Sequence, residues 1–336
     1  MENRKVTLKT IAEELGISVM TVSRVFNKHP YVREEIREKV LKLAEKLNYY
    51  PNFVARSLVK KKTNTIGFII PSIHLSFFAE ITKGIEETLN QKGYKLILCH
   101  SNEDFKKEKE EINILKARQI DGLIIAPAKN VEKFLHYILL KKSGIPFVLV
   151  DRYFPKIKIS YVATDDEKGA EEMTDFLINL GHRKIGYLAG PQEASDGKNR
   201  LKGYIKSLKK YGIPIARKMI RITGINYEDG YREMNYFLNM REKPTAIFAF
   251  NDDVAFGAFH RIREKNLDIP KDITLVGFGN EKGGAILTPP LTTMDQMPYE
   301  IGKKSAEILI NKIEKKERKE VQVLLKPKLV IRKSHC

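Results

Sequence analysis

Leu8–Asn27 reads LKTIAEELGISVMTVSRVFN, and at helical spacing it resolves into two short amphipathic helices around a tight turn. Ile11 and Leu15 fall four apart, with Ala12 and Gly16 behind them. Gly16 supplies the turn, because a residue without a Cβ takes a positive φ at no steric cost. Ile17 fills the corner and Ser18 is a good N-cap for the second helix. On that helix Val22 and Val25 face back toward Ile11 and Leu15. Val19, Met20, Thr21, Ser23 and Arg24 point outward. Small Ala12 lets the helices approach closely. This is the pattern of a helix-turn-helix, whose second helix enters a DNA major groove. An ordinary helical hairpin would explain two helices, but not the joint placement of the apolar positions, Ala12 and Gly16.

Charge agrees with that reading where it is concentrated. The chain has 336 residues and a formal net charge of +18. Residues 1–62 hold 14 Lys and Arg against 7 Asp and Glu, so a short head carries +7. A basic head favours polyanions through counterion release. The rest of the excess is lysine scattered over a much longer body, which reads as a solvated surface. The length calls for two or three domains. Cys99 and Cys336 are the only cysteines. They make neither a disulfide framework nor a zinc site and suit a reducing cytosol. The opening MENRKVTLKT has no apolar signal region and no run approaches a membrane span, so a cytoplasmic protein is expected.

Arg33–Asn48 (REEIREKVLKLAEKLN) carries an apolar stripe of Ile36, Val40, Leu43, Ala44 and Leu47, a third helix closing a three-helix core. Pro51 ends it. Asn52 can cap a short helix through Ala55 to Leu58, marginal alone in water, and Lys60–Lys62 reads as a linker. From Thr65 the texture becomes alternating strand and helix. TIGFIIP (65–71) is a short apolar run of the kind buried on both faces. Strands are expected at 94–99, 122–126 and 147–151, with helices at 78–92, 107–118 and 131–142. The pattern restarts after a crossing near 162–166, with helices at 168–180, 199–210, 229–239 and 254–265. Its strands fall at 184–189, 219–223, 246–251 and 274–277. Repeated strand–helix units mean parallel sheets covered by helices. After Thr292 the chain is expected to return to the first lobe, with a helix at 299–315 and late strands within 321–331 passing back toward the second.

Open parallel sheets bind ligands outside the carboxyl ends of their strands, so two facing lobes place those ends along one cleft. Asp151, Asn251 and Asp252–Asp253 end strands there, and Gly279-Asn280 follow another. Phe77 and Phe78 follow the first strand, and Arg200 opens a helix. A carboxylate, an amide, a guanidinium and an aromatic wall suit a sugar. Each also has a plain structural reading: Asp252 or Asp253 as a helix cap, Arg200 as a solvated helix residue, Phe77 or Phe78 as core. No catalytic set emerges. There is no GxGxxG after a strand, no P-loop and no GxSxG, and His182 sits at a helix–strand junction. No cofactor or metal is expected, and nothing in the residues asks for an enzyme.

The chain resembles the LacI/GalR family of bacterial transcription regulators over nearly its whole length. In the headpiece the likeness lies in TLKTIAEELGIS, TVSRVFN, VREEIREKV and LNYYPNFVARSL. In the body it lies in FFAEITKGIE, DGLII, LGHRKIGYLAGP, RLKGY, PTAIFAFND, LVGF and PPLTTMDQ. The resemblance implies an all-α DNA-binding headpiece followed by an α/β core of two doubly wound parallel-sheet lobes of periplasmic-binding-protein type. The expected segments are a headpiece at 1–50 and a hinge helix with linker at 51–63. The first lobe is 64–163 plus about 293–320, the second 164–292 plus about 321–333.

It further implies a homodimer on palindromic operator DNA, a repressor by default, with a sugar or sugar-derivative effector in the cleft. DNA-facing residues would be Thr7, Leu8, Ser18, Val19, Met20 and Thr21, then Ser23, Arg24 and Asn27. Hinge contacts would come from Asn52, Ala55 and Leu58, the last an apolar wedge in the minor groove. Effector residues would be Phe77, Phe78, Asp151, Arg200, Asn251 and Asp252. Gly277-Phe278-Gly279-Asn280 departs from the family's usual Asp after the Gly-aromatic pair, so one hydroxyl-binding carboxylate is missing. Ala194 stands where purine-type members have Arg, which argues against a nucleobase. Ala306-Glu307 stand where catabolite control proteins have Met-Arg, which argues against a phosphorylated carrier-protein partner.

Overall fold

The computed structural model describes residues 6–27, 29–50, 62–129, 134–315, 317 and 319–336. The chain divides into two units, Met1–Thr63 and Asn64–Cys336. The expected hinge residues Asn52, Ala55 and Leu58 lie outside the described residues.

In the first unit, α1 (Leu8–Leu15), α2 (Val19–Phe26) and α3 (Glu34–Lys46) surround one small core. Ile11, Val22 and Val40 are fully enclosed, with Ala12, Val25 and Ala44 beside them. Burying each of the larger side chains contributes about 1.5–3 kcal/mol. Local signals set the ends of the helices. Thr7 and Thr10 form a reciprocal capping box at the start of α1, which satisfies amide groups that the helix cannot pair itself. Gly16 takes φ 64° and ψ 32°, the left-handed conformation that ends a helix cheaply only in glycine. Ser18 accepts the Thr21 N–H at 3.0 Å and starts α2.

The second unit starts with β1 (Thr65–Ile70), α4 (Ser76–Gln91), β2 (Lys95–His100) and α5 (Phe105–Ala117). β3 (Gly122–Ile125), α6 (Leu135–Lys142), β4 (Phe147–Val150) and β5 (Tyr161–Thr164) follow. Its second part contains α7 (Asp166–Asn179), β6 (Ile185–Ala189), α8 (Ser195–Lys210), β7 (Ile220–Ile222) and α9 (Tyr227–Leu238). Next come β8 (Ala246–Ala249), α10 (Asp252–Glu264), β9 (Thr274–Val276) and α11 (Lys282–Ile286). The chain ends with β10 (Thr293–Asp295), α12 (Pro298–Glu314), β11 (Gln322–Leu325) and β12 (Lys328–Val330).

Two parallel sheets result. The first has order β11-β5-β4-β3-β1-β2 and the second β7-β6-β8-β9. β1, β3 and β4 are buried along nearly their whole length, as strands covered by helices on both faces must be. α4 and α12 cover one face of the first sheet, and Ile301, Ile308 and Leu309 of α12 join its core with Ile66, Phe68 and Ile81.

Two placements differ from the sequence reading. Tyr161–Thr164 is a fifth strand of the first sheet, not a bare crossing. Gln322–Leu325, assigned above to the second lobe, pairs in parallel with β5 in the first sheet, with Val323 opposite Val162. Only afterwards does the chain reach the second lobe. There β12 pairs antiparallel with β10, and the Leu275 N–H donates to Ser334 O at 2.9 Å. The lobes are thus joined by three crossings: after β5, between β10 and α12, and between β11 and β12.

Candidate functional site

The headpiece and the interlobe cleft divide the expected site residues between them. On α2, Val19 and Met20 are 44% and 64% exposed. These are apolar groups left in water at the start of a helix whose other face is fully buried. Arg24 and Asn27 are also exposed, and Thr21 and Ser23 are half-buried. The remaining headpiece candidates have structural duties. Thr7 caps α1, Leu8 packs against the headpiece core, and Ser18 caps α2. The Asn27 amide donates to Ser23 O at 2.9 Å and fastens the end of α2.

In the second unit all six candidates line one cavity of about 40 Å³, room for about three water molecules. β4 ends at Val150, and Asp151 follows with φ 67°, a left-handed conformation costly for a residue with a Cβ. Phe77 and Phe78 lie in the first turn of α4 rather than in the preceding loop, edge to face with centroids 5.2 Å apart. Asn251 caps α10: its Oδ1 accepts the Val254 N–H at 2.8 Å, and its Nδ2 donates to Ile225 O at 2.8 Å. Asp252 is fully buried. Its Oδ1 accepts from Thr293 Oγ1 at 2.6 Å and its Oδ2 from the Glu281 N–H at 2.8 Å. It therefore ties the loop after β9 to the start of α10.

Arg200 is not a solvated helix residue. It is 2% exposed. Nε donates to Asp166 Oδ1 at 2.8 Å, Nη1 to Phe250 O at 2.7 Å, and Nη2 to Gln296 Oε1 at 2.8 Å. Phe278 and Phe250 flank the guanidinium, their ring centroids 3.9 and 4.6 Å from Cζ, which adds cation–π attraction.

The sequence reading missed the other half of this wall. Arg152 is buried and forks onto Glu103 at 2.9 and 3.0 Å, with Nη1 also donating to Pro127 O at 3.0 Å. Its Nε reaches Asp196 Oδ2 at 3.4 Å and lies 3.7 Å from Asp151 Oδ2. Asp196 stands one turn before Arg200 on α8, and that spacing is visible in SDGKNR. The helix, however, begins at Ser195 rather than near Asn199, because Gly197 lets its first turn press against the Pro191 carbonyl; a Cβ there would meet that oxygen at 1.9 Å. Asn280, by contrast, turns away from this cavity toward Asp295 and Arg332.

Burial governs the electrostatics. It pushes Asp252 up to about 7, Asp253 to about 6 and Asp166 to about 6. Asp151 is pushed up by burial first and by the Asp196 carboxylate second. For Asp151, Asp166 and Asp252, removing the charged form from water costs more than the nearby cations return, and for Asp253 the Glu281 and Glu228 carboxylates add to the cost.

Several contacts close the cleft between the lobes. Arg152 meets Asp196, Ser195 Oγ accepts the Tyr153 N–H at 3.1 Å, and Asn199 Nδ2 donates to Tyr153 Oη at 3.0 Å. At the mouth Ser76 bonds Glu281, and Lys282 pairs with Glu80 at 3.2 Å. No helix among the described residues is long and apolar enough to cross a membrane.

Comparison with known proteins bears on both units. Residues 7–52 match the profile described as bacterial regulatory proteins, lacI family. Residues 63–333 match that of periplasmic binding proteins and sugar binding domain of LacI family. The chain is 34% identical over 329 residues to the HTH-type transcriptional repressor PurR of Photobacterium profundum, covering 98% of each chain. Among solved structures it is similar to a lac repressor dimer bound to operator and the anti-inducer ONPF, with TM-score 0.88 and 30% identity, covering 98% of this chain and 99% of that one. It is also similar to a cellobiose complex of the regulator CelR, with TM-score 0.75 and 26% identity, covering 98% and 100%. The chain belongs to the LacI family, and it is a DNA-binding transcriptional regulator.

Proposed function

We propose that this regulator represses carbohydrate-utilisation genes by binding a palindromic operator as a homodimer, and that a sugar or sugar derivative in the interlobe cleft controls it. The observation that carries the proposal is convergence. Phe77, Phe78, Asp151, Arg200, Asn251 and Asp252 come from both lobes and line one small cavity. Carboxylates there match hydroxyl groups, and the Phe pair offers an apolar face to C–H groups. The CelR–cellobiose complex, with the same architecture, supports a sugar. A nucleobase, the alternative raised by the likeness to PurR, finds no donor at Ala194, which is buried at the start of α8.

Arg200 acts in this scheme by shaping the cleft, since each of its three nitrogens already donates within the protein, to Asp166, Phe250 and Gln296. The cavity is far smaller than a sugar ring, so the lobes must part to admit a ligand and re-close around it. Linkage then connects cleft and DNA: an effector shifts operator affinity only as far as it prefers one lobe arrangement. A coupling of about 1–3 kcal/mol changes that affinity roughly 5- to 150-fold. Val19 and Met20 read thymine methyls and groove shape rather than donor–acceptor patterns.

A footprint of the full-length protein on DNA upstream of its own coding sequence tests the proposal. The expected result is a protected palindrome that a hexose, pentose or disaccharide clears or strengthens. Protection that answers to purines and to no sugar would overturn the sugar reading.

A further inference from the structure

The charges around the cavity are unevenly distributed. Five carboxyl groups lie on its wall, those of Asp151, Asp196, Asp252, Asp253 and Glu281, against the guanidinium groups of Arg152 and Arg200. Both cations are engaged. Arg152 holds Glu103, Pro127 O and Asp196, and Arg200 holds Asp166, Phe250 O and Gln296. An incoming phosphate or carboxylate would meet two guanidinium groups already paired with buried carboxylates and would bring a further negative charge beside the five carboxyls. Drawing either cation off its partner would leave an uncompensated buried carboxylate, the costly arrangement for such groups.

A second, independent observation points to what the cleft lacks. Asp196 is 5% exposed, and its Oδ1 is buried with no hydrogen-bond partner. An orphaned acceptor of this kind carries a desolvation penalty until a donor reaches it. Asp151 lies across the Arg152 Nε from it, so the two carboxyls flank one edge of the cavity. The wall therefore offers carboxyls in excess, and both of its guanidinium groups are already paired with carboxylates.

We infer that the effector is a donor-rich molecule without an anionic group: an uncharged polyhydroxy compound or a hydroxylated amine, not a sugar phosphate or a sugar acid. This rests on the cleft being the effector site. Asp196 Oδ1 accepts the hydroxyl or ammonium proton nearest α8, and Asp151 accepts or shares one from the β4 side. A carboxyl raised by burial fits this role, because Asp151 exchanges hydrogen bonds with hydroxyls but gives an anion no added cation.

Calorimetric titration of the full-length protein at neutral pH tests the inference with ligand sets that share a skeleton and differ in charge. One set is glucose, glucosamine, glucose phosphate and glucuronate; a second is ribose and ribose phosphate. Xylitol and glucamine, an open-chain polyhydroxy amine, serve as ring-free donors. The expected result is that the tightest uncharged or aminated member binds at least tenfold more tightly than any anionic member of its set. An anionic member binding as tightly, or within tenfold, overturns the inference while leaving a sugar effector in place. Binding of only the ring-free donors supports the charge rule and overturns the sugar reading. Binding of none overturns both. In Asp196→Asn the gap should narrow at least threefold, and an unchanged gap overturns the part given to Asp196; the wild-type titrations do not depend on that variant folding.

Discussion

The two regions solve opposite problems. The core of the headpiece is built of apolar side chains, Thr7 and Ser18 accept from amides at helix starts, the Asn27 side chain donates to a carbonyl at a helix end, and apolar Val19 and Met20 are left in water. The cleft buries charge. Arg152, Arg200, Asp151, Asp166, Asp196 and Asp252 are all nearly inaccessible. On the proposed function, the headpiece acts through exposed side chains that its own fold does not need, and the cleft through buried side chains that its fold needs as well. Substitutions should therefore separate function from stability in the first region and fail to do so in the second.

The largest expected effect is at Arg200. Arg200→Ala leaves Asp166 without its ion-pair partner inside the core and removes the stack on Phe278. Breaking a buried pair in this way costs about 3–5 kcal/mol. Calorimetry of the second unit's unfolding should show that loss. A variant with normal stability and only a lost effector response would mean that Arg200 is a simple ligand contact, and the contrast would fail.

Next in size is the pH response. Asp252 is held at about 7 by burial against an ordinary 3.8, so the folded chain keeps a proton that the unfolded chain releases. Stability from this group is fully present below about pH 4 and is lost as pH rises toward 7. Asp166, raised by burial to about 6, acts in the same sense, and Asp151, also raised, extends the window upward. His182 and His335, lowered from 6.5 by burial, oppose it only below that value. The second unit's Tm should fall between about pH 5.5 and about pH 7.5, and the fall should shrink in Asp252→Asn. An identical fall in that variant would place the linkage elsewhere.

These effects also explain what the sequence could and could not reveal. The headpiece was legible because its determinants are local: an apolar stripe of period 3.6, a capping hydroxyl, a glycine between helices. The strand ends of the cleft were legible because an alternating strand–helix order fixes where they point. Asp196 was missed because Ala194, at the start of α8, has no capping side chain to announce the helix. Arg152 was missed because its partners Glu103 and Asp196 are 49 and 44 residues away. Gln322–Leu325 was placed in the wrong lobe for a similar reason. Its exposure alternates like any edge strand, and its partner Tyr161–Thr164 is a short strand that the sequence reading took for a crossing.

Smaller effects should appear in the headpiece. Ser18→Ala removes the acceptor for the Thr21 N–H and should cost about 1 kcal/mol of headpiece stability, read by thermal melting. Met20→Ala should leave that stability within about 0.5 kcal/mol while changing which operator variants are selected from a random DNA pool. A melting loss at Met20 as large as that at Ser18 would assign this side chain to the fold rather than to reading DNA.

The central claim is that the arrangement of the two lobes sets operator affinity. Ser76 and Glu281 meet across the mouth of the cleft, so Ser76→Cys with Glu281→Cys, in a chain whose Cys99 and Cys336 are replaced by serine, allows a short thiol cross-linker to hold the lobes together. Operator binding is then measured by fluorescence anisotropy before and after cross-linking. Affinity should change at least about fivefold in one direction and recover when the link is cleaved. Equal affinity in the linked and cleaved protein would contradict that claim.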